Sequence, residues 1–144
     1  MPRMTSGQAR ERFAQARIAR LATTGATTGH PHLIPVTFAL TGDTAAFAVD
    51  HKPKRSPRLQ RLTNIRAHPA VCLLVDGYDE DWDRLWWARA DGTALVLPPA
   101  DVSPASARHV AALTRKYARQ YTGHPPMGPV VEITVTHWTG WHAT

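Results

Sequence analysis

The sequence predicts an α+β fold in which about six antiparallel strands curl toward a barrel, with three short helices inserted between them. Three observations carry this reading. Runs of alternating apolar and polar residues recur along the chain between clusters of turn residues, the pattern of half-buried strands. Helix starts are marked by Thr5 with Gln8 and by the steps Ser56-Pro57 and Ser103-Pro104. A Ser or Thr side chain caps free N–H groups there, and proline fits the first turn. The regular βαβ alternation and glycine-rich fingerprint of a parallel dinucleotide-binding sheet are missing. Rolling the sheet into a barrel removes its exposed edges.

Taken in order, a first helix follows Thr5, with Ala9, Phe13 and Ala16 on one face. Residues 17–24, the turn 25–29 and residues 31–40 read as a hairpin. In the second run His32, Ile34, Val36, Phe38 and Leu40 share a face, and Pro35 predicts an edge position or a bulge. Thr41-Gly42-Asp43 turns into a strand over 44–50. After a basic loop, a helix from Ser56 carries Leu59, Leu62 and Ile65 and ends at His68-Pro69. Strands are predicted at 71–76, 85–89 and 93–97, with an acidic connection at 77–83 and a turn at Asp91-Gly92. A third helix from Ser103, striped by Val110, Leu113, Tyr117 and Tyr121, runs to Gly123. A strand over 129–137 and the tail Trp138-Thr139-Gly140-Trp141 close the chain.

With 144 residues, 43% of them hydrophobic and 19% charged, residues 1–144 are expected to form a single domain with its own core. The lone cysteine, Cys72, excludes an internal disulfide and a Cys-based metal motif, and is expected to be a small core residue. No apolar run approaches a membrane span of roughly 20 residues, and no secretory signal is visible, so a cytoplasmic location is expected. The formal charge of +6 asks for an anionic partner.

The position of that charge narrows the choice. Between Asp50 and Arg66 stand Lys52, Lys54, Arg55, Arg58, Arg61 and Arg66 against the single acid Asp50. A strand thus delivers a basic loop to a helix N-terminus, whose free N–H groups favour an anion. Arg58 and Arg61 share one helix face. The residues alone leave two readings open: a solvated basic surface, or a site for a phosphate or carboxylate. Nucleic acid is disfavoured, because the charge sits in one short segment without a nucleic-acid motif. The acidic run Asp76 to Asp83 lacks the glycine and glutamate of a calcium loop. The eight histidines have no metal-ligand spacing, and no metal site is expected. Trp86 and Trp87 are adjacent on a strand, so one faces the core while the other is free to line a pocket or an interface.

These residues resemble a known family. The ending Asn64-Ile65-Arg66-Ala67-His68-Pro69 runs into Val71-Cys72-Leu73-Leu74-Val75, after a hairpin that includes Arg20-Leu21-Ala22-Thr23 and Pro31-His32-Leu33-Ile34-Pro35-Val36-Thr37-Phe38. That order is similar to the pyridoxamine-5′-phosphate-oxidase-like split-barrel superfamily. The segments Val49-Asp50-His51-Lys52-Pro53-Lys54-Arg55 and Asp79-Glu80-Asp81-Trp82-Asp83-Arg84-Leu85-Trp86-Trp87 resemble its F420-dependent branch. The resemblance implies a split β-barrel and a homodimer with cofactor sites at the interface. It also implies coenzyme F420, a deazaflavin with a phosphate and an acidic tail, with FMN as the alternative. The activity implied is hydride transfer to a small organic acceptor, or cofactor binding without catalysis. By the same resemblance Arg61 contacts the phosphate, and Pro35, Val36 and Thr37 border the ring. Val49, Asp50, Lys52, Lys54, Arg55, Arg58, Trp86 and Trp87 complete the expected cofactor-binding set. No residue is nominated as a catalytic acid.

Overall fold

A computed structural model describes residues 3–49 and 57–144, with side chains in the second stretch described from residue 60 onward. Helix α1 (Ser6–Gln15) precedes the strands β1 (Ala19–Thr24), β2 (Pro31–Val36), β3 (Ala39–Thr41) and β4 (Thr44–Ala48). Helix α2 (Pro57–Ala67) leads to β5 (Ala70–Gly77), a 3₁₀ turn (Trp82–Arg84) and β6 (Trp86–Leu97). Then come α3 (Pro104–Lys116), α4 (Ala118–Tyr121) and β7 (Val130–His142).

All strand pairs are antiparallel, in the order β2-β1-β5-β6-β7-β4-β3. The two outermost strands, β2 and β3, are consecutive in the chain, with only Thr37 and Phe38 between them. Two residues bridge no more than about 11 Å between flanking Cα atoms. The sheet must therefore roll until its edges nearly meet, although no ladder joins β2 to β3. This is a split barrel, and the α+β reading holds.

Local chemistry explains several elements as the sequence predicts. Thr5 and Gln8 form a reciprocal capping box at α1, and the Ser103 hydroxyl caps α3 by accepting from the Ser106 N–H at 3.2 Å. Pro35 does lie on an edge strand. Inside the barrel Leu21, Phe47, Leu73, Val75, Val131 and Ile133 pack with Phe13 of α1. The Phe13 ring meets Phe38 at 5.0 Å and Trp138 at 5.4 Å. Helix α1 comes close because Gly140 has no side chain; a Cβ there would stand 2.7 Å from the Met4 sulfur. On α2, Asn64 is 1% exposed. Its side-chain oxygen accepts from the Ala26 N–H at 3.0 Å and from Gln60 at 2.8 Å, while its amide nitrogen donates to Thr23 Oγ1 at 3.3 Å. The helix is thereby pinned to the β1–β2 hairpin.

Five expectations change. The run 31–40 breaks at Thr37-Phe38, because the chain there crosses the barrel seam from one edge to the other. Asp91-Gly92 is a bulge inside one 12-residue strand, not a turn. β6 pairs with β5 on one side and β7 on the other, so it has no freedom to turn away. The aromatic tail is part of β7, which runs on to His142 instead of ending at residue 137. The third helix breaks at Tyr117, whose φ of −115° and ψ of 49° are not helical. Cys72 is half-buried on the outer face of the sheet rather than in the core, since the register places it beside Ala22 and Asp91 while Leu73 points inward.

Candidate functional site

The barrel seam opens into a cleft of about 240 Å³ lined by Ile18, Pro35, Val36, Thr37, Phe47, Ala48, Arg61 and Tyr121. Each wall has a structural origin. Pro35, Val36 and Thr37 end the edge strand β2, where no further strand covers them. Phe47 and Ala48 end β4 on the other side of the seam. α2 brings in Arg61, and its guanidinium lies 5.6 Å from the centre of the Phe47 ring. Tyr121 closes the cleft from α4. Among the described residues the lining mixes apolar side chains with polar groups, the Arg61 guanidinium and the hydroxyl-bearing Thr37 and Tyr121, and includes no carboxylate. Such a donor set suits an anionic oxygen carried on an apolar body.

Behind the cleft the chain is tied at one point. The Tyr117 hydroxyl accepts from the Phe38 N–H at 3.1 Å and donates toward the carbonyls of Arg17 at 2.9 Å and Phe38 at 3.1 Å. This bond set holds the approach to β1 and the corner between β2 and β3, each of which gives a lining residue, Ile18 or Thr37. Burial pushes the Tyr117 phenol above its ordinary pKa despite the Phe38 hydrogen bond and the Arg17 charge. Beside it, the Lys116 ammonium lies 3.7 Å from the Phe38 ring centre and 5.4 Å from that of Tyr117. It has no hydrogen-bond partner among the described residues. Burial, reinforced by the Arg17 charge, lowers its pKa to about 8.

The structure gathers Pro35, Val36, Thr37 and Arg61 around one cleft. Val49, 7% exposed and in the same core cluster as Val36 and Phe47, is not among the cleft lining. Its N–H donates to the Pro129 carbonyl at 2.8 Å, and its carbonyl accepts from the Gly128 N–H at 3.2 Å. The cleft takes its neighbours Phe47 and Ala48. Asp50, Lys52, Lys54 and Arg55 lie outside the described residues, as does the Arg58 side chain. Trp87 pairs with Asp76 and Trp141, away from the cleft lining. Trp86 lines a larger cleft of about 1070 Å³ between α1 and residues 77–86. Size does not make that cleft the better candidate. Its carboxylates Glu11, Asp79 and Asp83 outnumber its guanidiniums, and Arg12, Arg84, Asp79 and Glu11 already have partners. Arg12 sits 4.7 Å from the Trp86 ring centre, Arg84 lies 3.8 Å from Asp79, and Glu11 accepts from Gln15 at 3.0 Å. Ile18, Phe47, Ala48 and Tyr121 are cleft residues that sequence reasoning missed. Tyr121 was visible only as part of an apolar helical stripe.

A family model described as pyridoxamine 5′-phosphate oxidase matches residues 5–142. No curated protein matches the chain. Among solved structures, the chain is similar to a FAD-binding protein from Mesorhizobium loti at 16% identity and a TM-score of 0.70, covering 96% of this chain and 95% of that one. It is similar to a conserved hypothetical protein from Mycobacterium tuberculosis at 20% identity and a TM-score of 0.73, covering 97% and 86%. It also resembles the heme storage protein HutZ from Vibrio cholerae at 14% identity and a TM-score of 0.70, covering 96% and 94%. These likenesses establish the fold, and the family match spans nearly the whole sequence. The chain belongs to the pyridoxamine 5′-phosphate oxidase family.

Proposed function

We propose that this protein is an oxidoreductase that holds a phosphorylated, planar flavin-type cofactor at the seam cleft and reduces a small organic acceptor. The observation that carries the reading is the cleft's donor set, which among the described residues is one guanidinium with two hydroxyl-bearing side chains and no carboxylate, beside Ile18, Pro35 and Ala48. Arg61 attracts the phosphate, while the exposed Ile18 and Pro35 offer an apolar surface to a flat ring. When bound, the cofactor supplies the hydride. Coenzyme F420 is the leading candidate, because the four cations Lys52, Lys54, Arg55 and Arg58 precede Arg61 in sequence and match its additional negative charge. FMN or FAD is the second reading, favoured by the FAD-binding neighbour.

A homodimer with the cofactor at its interface belongs to the same reading. About 240 Å³ is below the usual range of roughly 300–1,000 Å³ for ligand pockets, so one chain offers part of a site and a second copy the remainder. The outer sheet face suits a two-fold contact. Leu33, Ala22 and Cys72 form one cross-strand row and Pro35, Arg20, Leu74 and Arg89 the next. Both signs of charge are present there, with Arg20 paired to Asp76 at 3.4 Å and Arg89 to Asp91 at 3.2 Å. A face with both signs can pair with its own copy.

Titration of the purified protein with F420, FMN and FAD tests the cofactor. F420 is expected to bind at least tenfold more tightly, about 1.4 kcal/mol. Equal or tighter flavin binding reverses the ranking. Consumption of bound reduced F420 across an acceptor panel separates an enzyme from a cofactor carrier.

A further inference from the structure

Two tyrosines stand one helical turn apart at the end of the α3–α4 segment, and their hydroxyls have different surroundings. That of Tyr117 is fully engaged with backbone groups of Arg17 and Phe38. That of Tyr121 has no hydrogen-bond partner among the described residues, and the side chain lines the cleft that holds Arg61. Its ring is nonetheless held in place, packed edge-on against Tyr117 at 6.2 Å and 83°. A half-buried phenol that lines a cleft, with its ring packed and its hydroxyl without a partner among the described residues, has hydrogen-bonding capacity left for what enters that cleft. Among the described residues no carboxylate lines the cleft to compete for that donor, and the charged lining group is the Arg61 guanidinium.

We infer that Tyr121 is a ligand-binding and specificity-determining residue, donating its hydroxyl to the same phosphate oxygens that Arg61 attracts. The inference rests on the cofactor reading above and adds a second, neutral donor to it. The break at Tyr117 gives this arrangement a structural cause. The Tyr117 N–H still bonds the Leu113 carbonyl at 2.8 Å, but the chain then leaves the α3 axis for the short α4, which ends at Tyr121 beside the cleft.

FMN and riboflavin, which differ only by the phosphate, are the probes. Tyr121→Phe removes the hydroxyl and keeps the ring contact with Tyr117. In the full-length protein it is expected to weaken FMN binding about tenfold, as for a hydrogen bond to a charged group. Riboflavin affinity and the melting temperature stay unchanged. Arg61→Gln is expected to narrow the FMN-to-riboflavin preference in the same direction. If Tyr121→Phe leaves FMN affinity unchanged, or weakens both probes equally, the inference is overturned while the cofactor reading survives. If the wild-type protein binds none of F420, FMN and FAD, the cofactor reading is overturned and the inference with it.

Discussion

Asn64 satisfies three separate groups, the Ala26 N–H, the Gln60 amide and the Thr23 hydroxyl, from a position 1% exposed. Asn64→Leu keeps the volume but leaves the buried Thr23 hydroxyl and the half-buried Ala26 N–H without that partner. It is expected to cost about 2–4 kcal/mol in urea unfolding. Lys116 makes the opposite case, a charge whose burial opposes folding. Its folded pKa of about 8 lies below the ordinary 10.5. Between those values the unfolded chain holds the proton and the folded chain has released it, so stability rises with pH across that window. Below it both states are charged and the full cost persists. Lys116→Met is therefore expected to stabilise the protein at neutral pH by about 1 kcal/mol, allowing for solvent screening, with the gain fading as pH approaches 10.5. Thermal unfolding at a series of pH values measures both effects.

Among the elements, β6 shows how pairing overrides local turn chemistry. Asp-Gly is a strong turn signal, yet hydrogen bonding on both sides absorbs it as a register shift at Asp91/Gly92. The strand passes so close to β7 that a Cβ on Gly92 would run into the Thr134 carbonyl. Gly92→Val is expected to destabilise the fold by roughly 2–4 kcal/mol, read as a drop in denaturant midpoint at constant m-value. An unchanged midpoint would mean that β7 moves aside at little cost. The helix starts obey the opposite rule. The Thr5 and Ser103 caps were legible because their partners lie three residues away and need no tertiary context.

For the whole molecule, the seam follows from connectivity: adjacent strands placed at opposite ends of the sheet order force it to roll. The incomplete cleft and the outer face with both signs of charge then predict association. Light scattering is expected to report a dimer, and Leu33→Glu, at a residue 66% exposed on that face, to shift it toward monomer. Cofactor affinity should fall together with the dimer. A dimer untouched by Leu33→Glu would place the contact elsewhere.

The sequence by itself determined most of the strand and helix inventory, the capped starts of α1 and α3, the edge position of Pro35 and the concentration of positive charge ahead of Arg61. It also held enough of the family pattern to be recognised. Each of these depends on neighbours a few residues apart or on a net charge. Only the tertiary structure decided that Asp91-Gly92 does not turn, that Cys72 faces outward, and that Val49 is left out of the cleft lining while Phe47 and Ala48 belong to it. It likewise brought Ile18 and Tyr121, more than a hundred residues apart, to the same opening. Those outcomes depend on which strands pair and in which register. A one-residue change of register moves a side chain to the other face of the sheet, and local composition does not fix that choice.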